Sequence, residues 1–301
     1  MKRRAAICTL AGAVAALSGG SPAGAAAGMA SRKVPSSGEL LPVIGMGTWQ
    51  TFNVGPKPDE RKVLEQVLRE FVTLGGRVLD SSPMYGAAEQ VAGDLADKLG
   101  VRSKLFIATK VWAFGRDAGI RQMEESVAKL RAKPVDLMQV HNMQDVQTHL
   151  ATLRDWKRQG LVRHIGVTHY TAGAHEDVAR LIMKEQLDFI QINYSAGERE
   201  AEKRLLPLAR NRGVAVIASR PFMGGDVFRH LRSQPLPGWA PEIDCSSWAQ
   251  LLLKFVVSHP AVTCAIPATG KLDHLRENMQ AGFGRMPDEQ QRLLIGRQVA
   301  G

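Results

Sequence analysis

Val78-Leu79-Asp80-Ser81-Ser82-Pro83-Met84-Tyr85-Gly86 is an apolar run that stops at an acid, with a tyrosine five residues on in a Pro/Gly turn. Two later runs behave the same way. Leu105-Phe106-Ile107-Ala108-Thr109 stops at Lys110, and Leu137-Met138-Gln139-Val140 stops at His141. Asp80 and Lys110 lie 30 residues apart, and Lys110 and His141 lie 31 apart, the length of one strand–helix unit. Parallel strands built from such units all point one way, so their C-terminal ends share a single mouth. The spacing predicts that Asp80, Tyr85, Lys110 and His141 meet there.

The alternation continues on both sides. Before it, Ser37-Gly38 is a turn signal between short extended runs, predicting a β-hairpin that leads into a strand over 43–49. Residues 59–74 read as a helix, with Val63, Leu64, Val67, Leu68 and Phe71 on one face and Gly75-Gly76 as its stop. A second helix is expected over 87–99, and a third carries Ile120, Met123, Val127 and Leu130. Thr148 is placed to cap a fourth, running to Gln159. Strands over 163–168, 189–193 and 214–218 then alternate with helices over 176–184 and 200–210. A Gly- and Pro-bearing loop over 221–245 precedes a helix capped by Ser246 or Ser247, a last strand over 262–266 and a final helix within 287–301.

About eight such alternations predict an α/β fold, a (β/α)8 TIM barrel with an N-terminal β-hairpin, as one domain over 28–301. An open doubly wound sheet is the competing architecture. It would want a Gly-x-Gly-x-x-Gly turn before a helix, and the chain has none. Nor does it contain a P-loop, a Gly-x-Ser-x-Gly elbow or metal ligands at helical spacing, so no metal is expected.

Of the formal charge of +10, Lys2, Arg3 and Arg4 supply three units, and no acid occurs before residue 28. The remaining basic residues are scattered rather than interleaved with aromatics. That suits attraction of small anions and argues against a nucleic-acid groove. Residues 1–27 read as an export signal: a basic start, an apolar stretch from Ala5 to Leu17 too short to span a bilayer, then small residues at Ala23-Gly24-Ala25. Arg3-Arg4 hints at twin-arginine export, giving an exported, periplasmic protein with no stable membrane anchor after cleavage. Cys245 and Cys264 remain, too few for a disulfide framework and expected to be buried thiols.

A tyrosine is a poor acid at neutral pH, its ordinary pKa being about 10. A neighbouring ammonium favours the phenolate and lowers that value, while a carboxylate keeps the ammonium charged and in place. Asp80, Lys110 and Tyr85 form such a set, and His141 can hydrogen-bond a substrate oxygen. Together they suit proton delivery to a carbonyl oxygen as hydride reaches the carbon. Each residue also has a structural explanation: an ion pair, a loop aromatic, a backbone-bonded imidazole. Four suitable groups at matching strand ends outweigh those explanations taken singly.

On these motifs the sequence resembles the aldo-keto reductases, over roughly residues 35–281. The likeness includes Leu41-Pro42-Val43-Ile44-Gly45-Met46-Gly47-Thr48-Trp49, Asp80 with Tyr85-Gly86, Lys110, His141, and Ile266-Pro267-Ala268-Thr269-Gly270-Lys271 leading to Glu277-Asn278. The resemblance implies a (β/α)8 barrel and a small-molecule carbonyl substrate. Its cofactor would be NADP, with NAD as the alternative, bound without a Rossmann motif. It also implies Tyr85 as proton donor, Lys110 and Asp80 as its tuning pair, and His141 as the orienting group. For the cofactor it implies Thr168, His169 and Gln191 at the nicotinamide carboxamide, with His169 standing where the family has Asn. Ser219 replaces the usual stacking aromatic and is followed by Arg220. Ala268, Thr269 and His274 align with the residues that grip the 2′-phosphate, where Lys271 and Arg276 could supply charge. Glu277 and Asn278 match the adenine-contacting pair. The short tail implies an open site, covered if at all by 221–245, and the protein is expected to be a monomer.

Two other functions fit the same residues. Lys110 could form a Schiff base in a barrel aldolase. An exported barrel could also bind a dinucleotide or other ligand without turnover.

Overall fold

The computed structural model describes residues 28–300; the export segment expected over 1–27 lies outside them. The N-terminal hairpin forms as expected. β1 (Ser31–Lys33) pairs antiparallel with β2 (Leu40–Pro42). The turn between them uses Gly38 at φ +75°, a conformation costly for any residue with a Cβ.

Eight parallel strands follow in sequence order around one sheet: β3 (Met46–Gly47), β4 (Val78–Asp80), β5 (Phe106–Val111), β6 (Val135–Val140), β7 (Val162–His169), β8 (Phe189–Asn193), β9 (Ala215–Ser219) and β10 (Cys264–Ala265). The ring closes where Ile44 bridges Ala265 and Gly47 bridges Ala268, both parallel. Of the strand expected over 43–49, Met46 and Gly47 pair with β4, and Ile44 and Gly47 make the bridges on the other side. At this seam the strands approach so closely that a Cβ on Gly45 would lie 2.8 Å from the Val78 carbonyl oxygen. The chain then turns away through Gln50 at φ 60°.

The helices α1 (Pro58–Thr73), α2 (Ala88–Lys98), α3 (Arg116–Leu130), α4 (Val146–Arg158), α5 (His175–Lys184), α6 (Leu205–Asn211), α7 (Asp226–Leu231), α8 (Trp248–Ser258), α9 (Leu272–Gln280) and α10 (Glu289–Ala300) accompany the sheet. Strand residues divide by parity, as a pleat requires. Leu79, Ile107, Met138, Ile190 and Val216 pack outward in the larger core with Leu64, Val67 and Phe71 of α1. Val78, Phe106, Ala108, Leu137, Phe189, Ala215 and Ile217 fill the barrel, which Val34 and Leu41 of the hairpin region plug from below. Burying each large apolar side chain there contributes about 1.5–3 kcal/mol.

Three local expectations fail for identifiable reasons. Thr148 does not cap α4, which begins at Val146 after Asp145. The Asp145 carboxylate accepts instead from the Gly115 N–H at 2.7 Å, tying the loops after β5 and β6 together. The helix expected over 200–210 breaks into a single turn, Glu200–Glu202, and α6. Pro207 lies in α6's first turn, where it needs no N–H; a continuous helix would drive its ring into the carbonyl of Lys203. The loop expected over 221–245 is partly helical: α7 buries Val227 and Leu231 and packs against α10. Ser247 caps α8 by accepting from Gln250 N–H, and Cys245 and Cys264 are buried thiols.

Candidate active site

The parity that fills the barrel also aims the polar residues. On β5, Phe106 and Ala108 point inward, so Lys110 does too. On β4, Asp80 continues from Val78, and on β6 Gln139 and then His141 continue from Leu137. Going up the strands, the interior therefore changes from apolar to polar in one step.

Lys110 Nζ donates to both carboxylate oxygens of Asp80 at 2.8 Å and to the Ser81 carbonyl at 2.6 Å. Both side chains are buried, with Lys110 only 1% exposed. Burial alone would lower the lysine's pKa, but Asp80, with Tyr85, reverses this and holds it above the usual lysine value. Burial raises the Asp80 pKa above the usual carboxylate value, more than the ammonium on both its oxygens lowers it. Gln191 Nε2 adds a 3.3 Å bond to Asp80, and Gln139 Nε2 in turn donates to Gln191 Oε1 at 2.8 Å. The Thr48 hydroxyl donates to the Asp80 carbonyl at 3.0 Å.

Tyr85 is brought over this pair by its turn. Gly86 has φ +62°, and a Cβ there would lie 2.3 Å from Asn53 Oδ1, which accepts from the Ala87 N–H at 2.9 Å. The Tyr85 ring stands with its centroid 5.3 Å from Lys110 Nζ and meets the His141 ring edge-on at 6.1 Å. All four residues thus converge. The sequence-based expectation for the phenol needs correction, however. Burial raises the Tyr85 pKa, more than the Lys110 ammonium lowers it. His141 is held down to about 3 by burial first, then by Lys110 and His169, so at neutral pH it is uncharged.

The residues implied for a dinucleotide follow neighbouring strand ends. Thr168 is buried beside Gln191 in the β7–β8 ladder. His169 Nδ1 accepts from Thr171 N–H at 3.3 Å, and its ring stacks on Tyr170. Ser219 ends β9 opposite Asn193, and Arg220 follows at φ +52°. Thr269 accepts from Lys271 N–H at 3.1 Å and so shapes the entry to α9, whose N-terminus has no side-chain cap. His274 is exposed in that first turn, while Glu277 is half-buried and Asn278 buried further along. Arg276, expected as a phosphate ligand, instead bonds Glu70 of α1 at 2.7 Å and is committed there.

Among the described residues, neither Arg220 nor Lys271 has an acidic partner within ion-pair distance. Two unpaired cations and an uncapped helix N-terminus fit an anionic dinucleotide. Two site residues escape the strand-end reading. Gln139 was legible only as a polar residue in a buried strand. Ser82 Oγ lies 3.1 Å from His141 Nδ1, and no local pattern announces that contact.

Residues 43–294 match the Aldo/keto reductase family. Methylglyoxal reductase YeaE of Escherichia coli (strain K12) is 29% identical over 83% of this chain and 89% of its own. Methylglyoxal reductase DkgB of Escherichia coli O157:H7 is 24% identical over 80% and 87%. Among solved structures, the thermostable aldo-keto reductase Tm1743, in complex with epalrestat, superposes with TM-score 0.75 at 25% identity, covering 90% of this chain and all of that one. An aldo/keto reductase from Klebsiella pneumoniae, in complex with NADP and acetate, gives 0.71 at 23%, covering 86% and 92%. The chain belongs to the aldo/keto reductase family.

Proposed function

We propose that this protein reduces a small aldehyde or ketone to the alcohol with NADPH, NADH being the alternative donor, or runs the reverse oxidation. One observation carries the reading: a buried ammonium, fixed by Asp80, lies beneath a phenol and beside an uncharged imidazole at the barrel mouth. The relatives named as methylglyoxal reductases make a 2-oxoaldehyde the first substrate to try.

When bound, the dinucleotide supplies hydride to the carbonyl carbon. Tyr85, kept protonated by its raised pKa, gives its proton to the carbonyl oxygen as charge develops there. Lys110 stabilises the phenolate left behind, and Asp80 keeps that ammonium charged and positioned. His141 hydrogen-bonds the same oxygen and orients it. Thr168, His169 and Gln191 would hold the carboxamide. Ser219 would lie against the nicotinamide ring, Arg220, Thr269, Lys271 and His274 would hold the phosphates, and Glu277 and Asn278 the adenine.

A Schiff-base aldolase is disfavoured because it needs Lys110 as a free neutral amine. Here the nitrogen donates to three oxygens and keeps its proton more firmly than usual. The test is to follow NADPH absorbance with methylglyoxal and a panel of aldehydes. Cofactor binding without consumption across the panel would favour a ligand-binding barrel without turnover.

We also propose that residues 1–27 send the folded monomer to the periplasm by the twin-arginine route. Lys2-Arg3-Arg4 ahead of a short apolar stretch supports this. Holoprotein found exclusively in the cytoplasm on fractionation would contradict it.

A further inference from the structure

Ser82 lies between Asp80 and Tyr85 and is fully buried. Its hydroxyl oxygen accepts from the Met84 N–H at 3.2 Å, which leaves its own proton to be placed. A buried hydroxyl that donates to nothing forfeits the hydrogen bond it would make in water, at a cost in stability. Among the described residues, the one acceptor within hydrogen-bond distance is His141 Nδ1, at 3.1 Å.

An uncharged imidazole carries one N–H, and what its other nitrogen bonds decides which side bears it. If Nδ1 held the proton, it would donate to Ser82 and the serine proton would have no acceptor. If Nδ1 is bare, it accepts from Ser82 and both groups are satisfied. No described residue hydrogen-bonds Nε2, which is left for a ligand. We propose that Ser82 is a positioning residue that locks His141 as its Nε2–H tautomer, presenting a hydrogen-bond donor to the substrate oxygen. The imidazole thus reaches the reaction as a donor without being charged. This rests on the carbonyl-reductase reading for its use, but the lock itself is a property of the free protein.

The test is nitrogen-15 NMR on the full-length protein labelled at histidine, with His141 assigned by loss of its signals in His141→Asn. The expected result is a bare, pyridine-type Nδ1 and a protonated Nε2 at neutral pH, shifting toward a mixture in Ser82→Ala. Ser82→Thr, which keeps the hydroxyl, should restore the wild-type pattern. A protonated Nδ1 in the wild type, or an unchanged pattern in Ser82→Ala, overturns the proposal. In turnover assays Ser82→Ala should lose about tenfold in kcat, the size of one lost hydrogen bond, with cofactor affinity unchanged. If the tautomer moves while kcat does not, the lock stands and the role of His141 in reduction falls.

Discussion

Lys110 Nζ lies 2.8 Å from each carboxylate oxygen of Asp80, and neither side chain is open to solvent. A buried ion pair contributes little to stability as a whole, but removing one partner strands the other charge. Lys110→Met should therefore destabilise the fold by roughly 3–5 kcal/mol. It should also reduce turnover by orders of magnitude. Lys110→Met combined with Asp80→Asn should recover much of the stability and none of the activity. Urea unfolding beside NADPH-consumption assays separates the two effects; additive losses of stability would contradict the coupling.

His141 has a folded-state pKa near 3, far below its ordinary value of 6.5. Below pH 6.5 the unfolded chain binds the proton that the folded site refuses, so stability falls as pH drops toward 3. His141→Asn should flatten that part of the stability profile, measured as urea midpoints between pH 7 and 4. The pH–rate profile of kcat/KM should show no His141 limb between pH 5 and 8. Tyr85, raised above its ordinary value, should keep reduction active into the alkaline range.

Gly86→Ala tests the turn that carries the phenol. The new methyl group would need φ +62° and would overlap the Asn53 side chain. A cost of about 1–3 kcal/mol is expected. Activity should fall beyond what the lost stability explains, because Tyr85 moves with its neighbour. A variant with lower melting temperature but wild-type kcat would show that the turn does not position the ring.

How much of this was legible beforehand depends on the kind of rule involved. Asp80, Lys110 and His141 are legible because a two-residue strand period and a fixed strand–helix length act along the chain. Their meeting follows from all the strands pointing one way. Contacts across elements left no such trace. Ser82 reaches a histidine 59 positions away, and Arg276 turns to a glutamate 206 positions away. The expected cap at Thr148 fails because the helix begins earlier, at Val146, behind an Asp145 whose carboxylate is tied to the loop of Gly115 by a tertiary bond. The acidity of Tyr85 escapes the sequence for a related reason. The ammonium was visible as a neighbour, whereas the burial that outweighs it is a property of the closed barrel.

Lys271 and Arg220 are expected to bear on the dinucleotide and not on the chemistry. Lys271→Ala and Arg220→Ala should each weaken NADPH binding by about tenfold, the effect of losing one charge-assisted contact. The kcat at saturating cofactor should stay close to wild type. Fluorescence titration with NADPH and NADH checks this; unchanged affinity for both cofactors in both variants would remove these cations from the site.

The most direct measurement is the kcat of Tyr85→Phe beside its NADPH affinity, since the substitution keeps the ring and removes only the proton. Turnover is expected to fall about 10²–10⁴-fold, the usual size of a lost proton donor, with cofactor binding retained. Turnover close to wild type would contradict Tyr85 as the donor.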